Sequence, residues 1–131
     1  MNEEILEVIE TTDRKGLYFT SNRVIIAKLG GQALSMAFGV FGALAESRMR
    51  AKKKEQLSKL SPESILTADK KNFAIPYTEV TKVELFKKML GRKVRITVGA
   101  KKHEFSLSKP KEFENYVNVL QPLLGDKLTV S

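Results

Sequence analysis

The stretch from Leu29 to Leu60 constrains the possible fold more than any other part of the chain. It reads LGGQALSMAFGVFGALAESRMRAKKKEQLSKL, an apolar half rich in small residues followed by a basic half. Its length and composition favour helix, whereas the segments before and after it carry the short apolar runs of strands. The sequence therefore predicts a single domain over residues 1–131, in which a long helix within an insertion at 31–71 interrupts a β-rich body.

One side of the predicted inserted helix is lined by small residues. They recur at every fourth position from Gly31 to Ala51, and a stripe of this kind lets a second helix approach closely. A small β body offers little surface to cover so long a helix, so we expect self-association into a homo-oligomer. The predicted contact residues are Ser35, Phe38, Gly39, Phe41, Gly42, Ala43 and Ser47. The alternatives are burial against the helix's own domain and insertion into a membrane, although the uncharged part is shorter than the roughly 20 residues that span a bilayer.

A first basic cluster follows the small-residue stripe. It comprises Arg48, Arg50, Lys52, Lys53 and Lys54. Cations beside an apolar helix are typical of segments that contact anionic lipid. The structural alternative is a solvated helix end, because cations near the carboxyl terminus of a helix interact favourably with its dipole.

A second basic cluster has the form of a hairpin tip. It combines two apolar residues with four cations around a turn-forming glycine: Lys87, Lys88, Met89, Leu90, Gly91, Arg92 and Lys93. Membrane-docking loops use this combination, because the apolar side chains enter the interface while the cations meet the head groups. The alternative is that Met89 or Leu90 covers the core of the domain.

The other segments predict strands and two further helices. Short β-rich runs or alternating patterns indicate strands at 4–10, 17–20, 23–28, 73–85, 94–98 and 103–107. Ser61 followed by Pro62 is a helix-start signal and predicts a short helix over 63–68. After Pro110, apolar residues recur at helical spacing from Phe113 to Leu124. This last helix should present one apolar face to the strands.

Three of these segments resemble the pleckstrin-homology-like superfamily, and in particular the bacterial PH and GRAM-type domains. They are the strand pair GLYFTSNRVIIAK, the run IPYTEVTKVEL and the terminal amphipathic helix. The resemblance implies an α+β fold, with a small antiparallel PH-like β barrel of about six or seven strands capped by the carboxyl-terminal helix. The long helical insertion departs from the family's pattern. The family supplies no catalytic residues, and its members bind lipids or peptides or form oligomers.

The net charge indicates the kind of partner, and the amino terminus indicates where the protein is expected to be located. The formal net charge of +8 points to an anionic partner, either phospholipid head groups or nucleic acid. Nucleic acid ranks lower, because the basic runs Arg48–Lys54 and Lys87–Lys93 contain no stacking aromatic residue. The amino terminus MNEEILEVIE lacks the basic start of a signal peptide. We therefore expect a cytoplasmic protein, with peripheral attachment to the inner face of the membrane or binding of a protein partner as further possibilities.

The sequence gives no sign of catalytic chemistry. There is no cysteine, which excludes disulfides and thiolate chemistry. His103 is the single histidine and has no serine or acidic constellation beside it in the sequence, so no catalytic dyad is predicted. No phosphate-binding loop, dinucleotide fingerprint or metal-ligand spacing occurs. We expect a non-enzymatic binding or adaptor domain with no cofactor, no metal and no small-molecule substrate.

Overall fold

The computed structural model describes residues 3–28, 61–89 and 91–131. These ranges contain eight strands and two α-helices, with short 3-10 turns between some of them. The strands are β1 (Ile5–Glu10), β2 (Lys15–Thr20), β3 (Arg23–Lys28), β4 (Phe73–Pro76), β5 (Lys82–Lys88), β6 (Gly91–Val98), β7 (Lys101–Ser106) and β8 (Leu128–Val130). The helices are α1 (Pro62–Thr67) and α2 (Phe113–Leu124). The protein is therefore α+β, as the sequence predicts.

The first sheet has the strand order β1-β2-β3-β4 and is antiparallel throughout. Its strands are apolar on both faces. In β2, Leu17 and Phe19 point toward the second sheet, whereas Tyr18 between them points away from it, and all three are fully buried. Continuous burial of this kind requires cover on two sides. The charged residues of this sheet are consequently found mainly at the strand ends and turns.

The second sheet has the order β7-β6-β5-β8. Strands β5, β6 and β7 are antiparallel, and β8 joins the other edge of β5 in parallel register, with Val83 opposite Leu128. The two sheets meet at one corner through an isolated bridge between Thr11 and Leu107. The inner faces of both sheets form the main hydrophobic core.

Helix α2 closes the open side of this core. Its buried residues Phe113, Tyr116, Leu120 and Leu124 lie at helical spacing, and they belong to the same cluster as the inner residues of both sheets. The apolar face predicted from the sequence is therefore confirmed. Gly125 ends the helix with φ of +56°, a backbone conformation that favours glycine.

Helix α1 covers part of the outer face of the first sheet. The Ser64 backbone N–H donates to the Ser61 side chain at 3.3 Å, so the predicted cap is confirmed, and the helix begins one residue before the predicted start. Its Ile65 packs in a second hydrophobic cluster with Tyr18 and Ile25. The Arg23 guanidinium further ties the helix to the sheet through an ion pair of 2.7 Å with Glu63.

Two expectations about the strands need correction. A small antiparallel barrel was expected, but the described residues form two four-stranded sheets that are not clearly closed into one barrel. Among the described strands β4 pairs with β3, and β5 pairs with β6 and β8, so no pairing joins β4 to β5. β8 is also the strand by which the structure exceeds the predicted number of six or seven. The long helix expected between residues 31 and 60 lies outside the described residues.

Leu120→Ala is expected to lower the free energy of unfolding by about 2–5 kcal/mol, because it opens a cavity where α2 meets both sheets. Urea unfolding followed by circular dichroism measures the change. Asn118→Ala is the matched control, since Asn118 is exposed on the same helix, and it should change stability by less than about 0.5 kcal/mol. Equal losses in the two variants would contradict the packing of α2 described above.

Candidate functional site

The β5–β6 hairpin ends in an exposed apolar residue between cations, and residues 87–93 are called the hairpin tip below. Lys88 pairs with Gly91, so the connection between the two strands is two residues long. Met89 in this connection is 98% exposed. It therefore does not cover the core, which was the structural alternative for this residue. Lys87 and Lys88, immediately before it, are also exposed.

The four cations of the hairpin tip are not equally available. Lys93 forms an ion pair of 3.2 Å with Glu104, and the Arg92 guanidinium lies 5.7 Å from the ring centroid of Phe113. Both residues are half-buried. By contrast, neither Lys87 nor Lys88 forms an ion pair within the described ranges, and the Lys88 ammonium lies 5.9 Å from the Phe86 ring. The exposed positive charge of the tip therefore comes from Lys87 and Lys88, whereas Arg92, which also forms no ion pair among the described residues, is half-buried beside Phe113.

The outer face of the second sheet is charged but internally neutralised. Arg95 lies at its centre and pairs with Glu104 at 2.7 Å and with Glu84 at 3.4 Å. Its guanidinium also stacks over Phe86 at 4.8 Å. Hydrogen bonds from Arg95, and then from Lys93, lower the pKa of the Glu104 carboxyl. This face therefore attracts an external anion less than the tip does.

A second basic feature, called the basic cleft below, lies at the end of the first sheet. It has a volume of about 370 Å³ and is lined by Asp13, Arg14, Lys15, Ile26, Ala27, Lys28, Lys71, Asn72 and Phe73. The lining contains four cations and one carboxylate. Lys15 is already engaged, because it pairs with Asp13 at 3.7 Å and lies 5.7 Å from the Phe105 ring. Arg14, Lys28 and Lys71 form no ion pair with any described residue.

Backbone hydrogen bonds hold the walls of the basic cleft in place. The Thr11 hydroxyl accepts the backbone N–H of Lys15 at 3.0 Å and so closes the β1–β2 turn. On the other wall, the backbone N–H of Lys28 donates to the Asn72 side chain at 2.9 Å. Asn72 in turn donates to the carbonyl of Ile65 at 2.8 Å. The polar groups of Asn72 are thus used within the fold, which leaves the cations and Phe73 to face a ligand.

Arg14 occupies an unusual backbone conformation at the rim of the basic cleft. Its φ is +63°, and it is the non-glycine residue with positive φ among the described residues. A side chain in this region costs about 1–2 kcal/mol relative to the ordinary helical conformation. Glycine or asparagine would fill the position at lower cost. Backbone strain of this kind is more common at functional sites, so the Arg14 side chain is a candidate for ligand binding.

The hairpin tip and the β1–β2 turn of the basic cleft lie near each other. The backbone N–H of Thr12 donates to the carbonyl of Ser106 at 2.9 Å, and that of Leu107 to the carbonyl of Arg92 at 3.0 Å. Arg92 pairs with Lys87 across the hairpin. Two strand spacings, roughly 10 Å, therefore separate Thr12 in the turn from Arg92 of the tip.

Several predicted site residues lie outside the described ranges. These are the self-association residues Ser35, Phe38, Gly39, Phe41, Gly42, Ala43 and Ser47, the first basic cluster from Arg48 to Lys54, and Leu90 of the tip. Self-association and lipid contact by that cluster stay predictions. The sequence did not indicate the basic cleft, because Arg14, Lys28 and Lys71 come from three distant segments. A positive-φ turn position held by Arg14 gives no recognisable signal in one sequence.

The described residues contain neither a membrane-spanning helix nor a cluster of metal ligands. None of their helices has both the length and the apolar composition needed to cross a bilayer. In the same ranges, no group of three or more His, Cys, Asp or Glu side chains is arranged to hold a metal ion.

Comparison with known proteins assigns no family to the chain. No protein-family model matches it, and a search of curated protein sequences finds no match. The interpretation of the tip and of the cleft therefore depends on their own geometry and charge.

Arg95→Gln is expected to raise the pKa of the Glu104 carboxyl toward its ordinary value, because the variant removes the donor that contributes most to lowering it. With the folded pKa lowered, the stabilisation from Glu104 is present above the unfolded pKa and is lost as the pH falls through the folded pKa. An NMR titration of the Glu104 carboxyl carbon measures the shift. Lys82→Gln is the control, since Lys82 pairs with Glu84. An unchanged Glu104 titration in Arg95→Gln would show that the ion pair is not formed in solution.

Proposed function

We propose that this chain is a non-enzymatic binding module that attaches peripherally to an anionic phospholipid surface through the hairpin tip. The observation that carries the proposal is the almost complete exposure of Met89 beside Lys87 and Lys88, which have no acidic partner in the described part of the chain. An apolar side chain enters the membrane interface while neighbouring ammonium groups meet the head groups. Under this proposal the chain acts in the cytoplasm, at the inner face of the membrane.

The proposal includes a pleckstrin-homology-like fold. Its support is the order of elements, in which a four-stranded antiparallel sheet is followed by three antiparallel strands and then by an amphipathic helix. The strand β8 on the edge of β5 is an addition to that pattern. Because one fold serves many functions, the membrane proposal depends on the tip and not on the fold.

Magnitudes indicate that one tip binds weakly. Each lysine near an anionic membrane surface contributes about 1 kcal/mol, and burial of a methionine side chain contributes about 1.5–3 kcal/mol. Lys87, Lys88 and Met89 together supply about 4 kcal/mol, which corresponds to a dissociation constant near 1 mM. Attachment through this tip is therefore reversible and sensitive to salt, since exposed charges are screened within about 3 Å at 1 M ionic strength.

A role in catalysis has less support. The half-buried His103 contacts Phe73, with ring centroids 5.7 Å apart, and no ion pair involves it in the ranges that the structure describes. Carboxylates such as Glu84 and Glu104 are paired with Arg95. Such an arrangement serves the stability of a sheet surface better than proton transfer, which needs a group free to exchange its proton with substrate.

The double variant Lys87→Glu/Lys88→Glu is expected to weaken binding to vesicles of phosphatidylglycerol and phosphatidylcholine by about 30-fold or more. Removing two favourable charges accounts for about 2 kcal/mol, and the new carboxylates add repulsion. Co-sedimentation with the vesicles measures binding of the full chain, and vesicles of phosphatidylcholine alone give the background. Met89→Ser should weaken binding by about tenfold without removing its salt dependence.

The matched control is Lys82→Glu/Lys102→Glu. These lysines lie opposite Thr97 at the far end of the same sheet, about 20 Å along β5 from the tip. The control makes the same change in net charge, so a purely global electrostatic effect would weaken binding equally in both double variants. That result, or full binding by Lys87→Glu/Lys88→Glu, would refute attachment through the tip.

A further inference from the structure

We propose that the basic cleft binds a nucleoside phosphate, with the phosphate held by Arg14, Lys28 and Lys71 and the base stacked on Phe73. This site is separate from the hairpin tip and does not depend on the membrane proposal. The inference starts from the juxtaposition of unpaired cations with an exposed aromatic ring in one cleft. The basic runs of the sequence lack such a ring, but the fold brings one to cations from other segments.

The charge of the basic cleft fits a phosphate. Of its four cations, Lys15 is held by Asp13 and by the Phe105 ring. Arg14, Lys28 and Lys71 remain without an ion pair among the residues that the structure describes. They line the cleft from the β1–β2 turn, the end of β3 and the segment before β4. Arginine and lysine together supply the donors that phosphate oxygens accept.

Phe73 supplies the second half of the site. It is 41% exposed, although phenylalanine is normally buried. Phe73 pairs with Ile26 at the start of β4, and its ring packs at a tilt of 47° against the ring of His103 in β7, with centroids 5.7 Å apart. A supported aromatic ring with free surface is what stacking of a base requires.

The position of Phe73 favours a base over a lipid chain as its partner. Met89 projects from a two-residue hairpin connection and is 98% exposed, as a residue that enters a membrane should be. Phe73 instead forms part of the wall of a cleft of about 370 Å³, beside Ile26 and Asn72. This volume lies within the range of small-molecule sites, roughly 300–1,000 Å³. A nucleotide fits both parts of this cleft, because its flat base can stack on Phe73 in the wall while its phosphate meets the cations.

The strained turn gives a further reason for the assignment. Arg14 has a φ of +63° in a position where glycine would be less strained. A guanidinium in this position extends the positive charge of the cleft to the β1–β2 turn. Arg14→Gly therefore removes the charge without adding backbone strain, so the variant is expected to stay folded, which its thermal unfolding curve checks.

The experiment titrates the full chain with adenosine monophosphate, ribose phosphate and adenosine, and follows backbone amide NMR shifts. Adenosine monophosphate is expected to bind about tenfold more tightly than ribose phosphate, because the base stacks on Phe73. Phe73→Leu should abolish this difference and leave ribose phosphate binding unchanged. Arg14→Gly and Lys71→Ala should each weaken the binding of adenosine monophosphate and of ribose phosphate by about fivefold to tenfold, since each variant removes one charge-assisted contact.

Two controls separate this site from the hairpin tip. Phe86→Leu changes another aromatic residue beside cations, but on the outer face of the second sheet, and it should leave the affinities for adenosine monophosphate and ribose phosphate unchanged. Lys87→Glu/Lys88→Glu should lose vesicle binding and keep nucleotide binding. The failure of one proposal is therefore distinguishable from the failure of the other.

The source of the nucleotide is tested with a short single-stranded oligoadenylate. Tighter binding of the strand than of the monophosphate, with dependence on Phe73 and Arg14, identifies nucleic acid as the source; equal affinity identifies a free nucleotide. Equal binding of adenosine monophosphate and ribose phosphate overturns the proposal. Binding of phosphatidylglycerol vesicles that is lost in Arg14→Gly, without any binding of the monophosphate, also overturns it and identifies the cleft as a lipid-head-group site.

Discussion

The burial of the first sheet on both faces is the constraint on which the rest of the structure depends. Leu17 and Phe19 face the second sheet and α2, while Tyr18 and Ile25 face the cluster that contains Ile65 of α1. A sheet that is buried on both faces has little exposed face left to bind a ligand. The unpaired cations are consequently found at strand ends and turns, at the hairpin tip and around the basic cleft. The same packing that stabilises the fold thus determines where binding can occur.

The two basic features differ in how the chain builds them. The hairpin tip is local, because Lys87, Lys88 and Met89 are consecutive and a two-residue connection brings them to the end of β5. The basic cleft is assembled from three segments, and its shape depends on the turn at Thr11 and on the hydrogen bond between Lys28 and Asn72. A local tip tolerates changes elsewhere in the fold. The cleft, in contrast, is sensitive to the register of β3 with β4.

The sequence predicted what depends on periodicity and missed what depends on distant pairing. Alternation, the cap at Ser61 and the spacing from Phe113 to Leu124 identified most strands and both described helices, because each is a local signal. β8 was missed because an alternation of three residues, Leu128 to Val130, is too short to indicate a strand, and its parallel partner lies more than 40 residues earlier. The basic cleft was missed for a similar reason, since Arg14, Lys28 and Lys71 meet only when β2, β3 and β4 pair. The described strands form two sheets and not a clearly closed barrel, and the pairing of β8 with β5 gave no signal in the sequence.

Weak attachment by one tip gives self-association a physical role. About 4 kcal/mol per tip leaves a single copy mostly unbound at ordinary lipid concentrations. If two copies present their tips to one surface, the second contact is intramolecular and proceeds at an effective concentration that can reach the millimolar range, so the apparent affinity rises by orders of magnitude without a new kind of contact. The predicted helix-mediated assembly and the proposed membrane attachment would then reinforce each other. By linkage, the membrane would favour the oligomer as much as the oligomer favours the membrane.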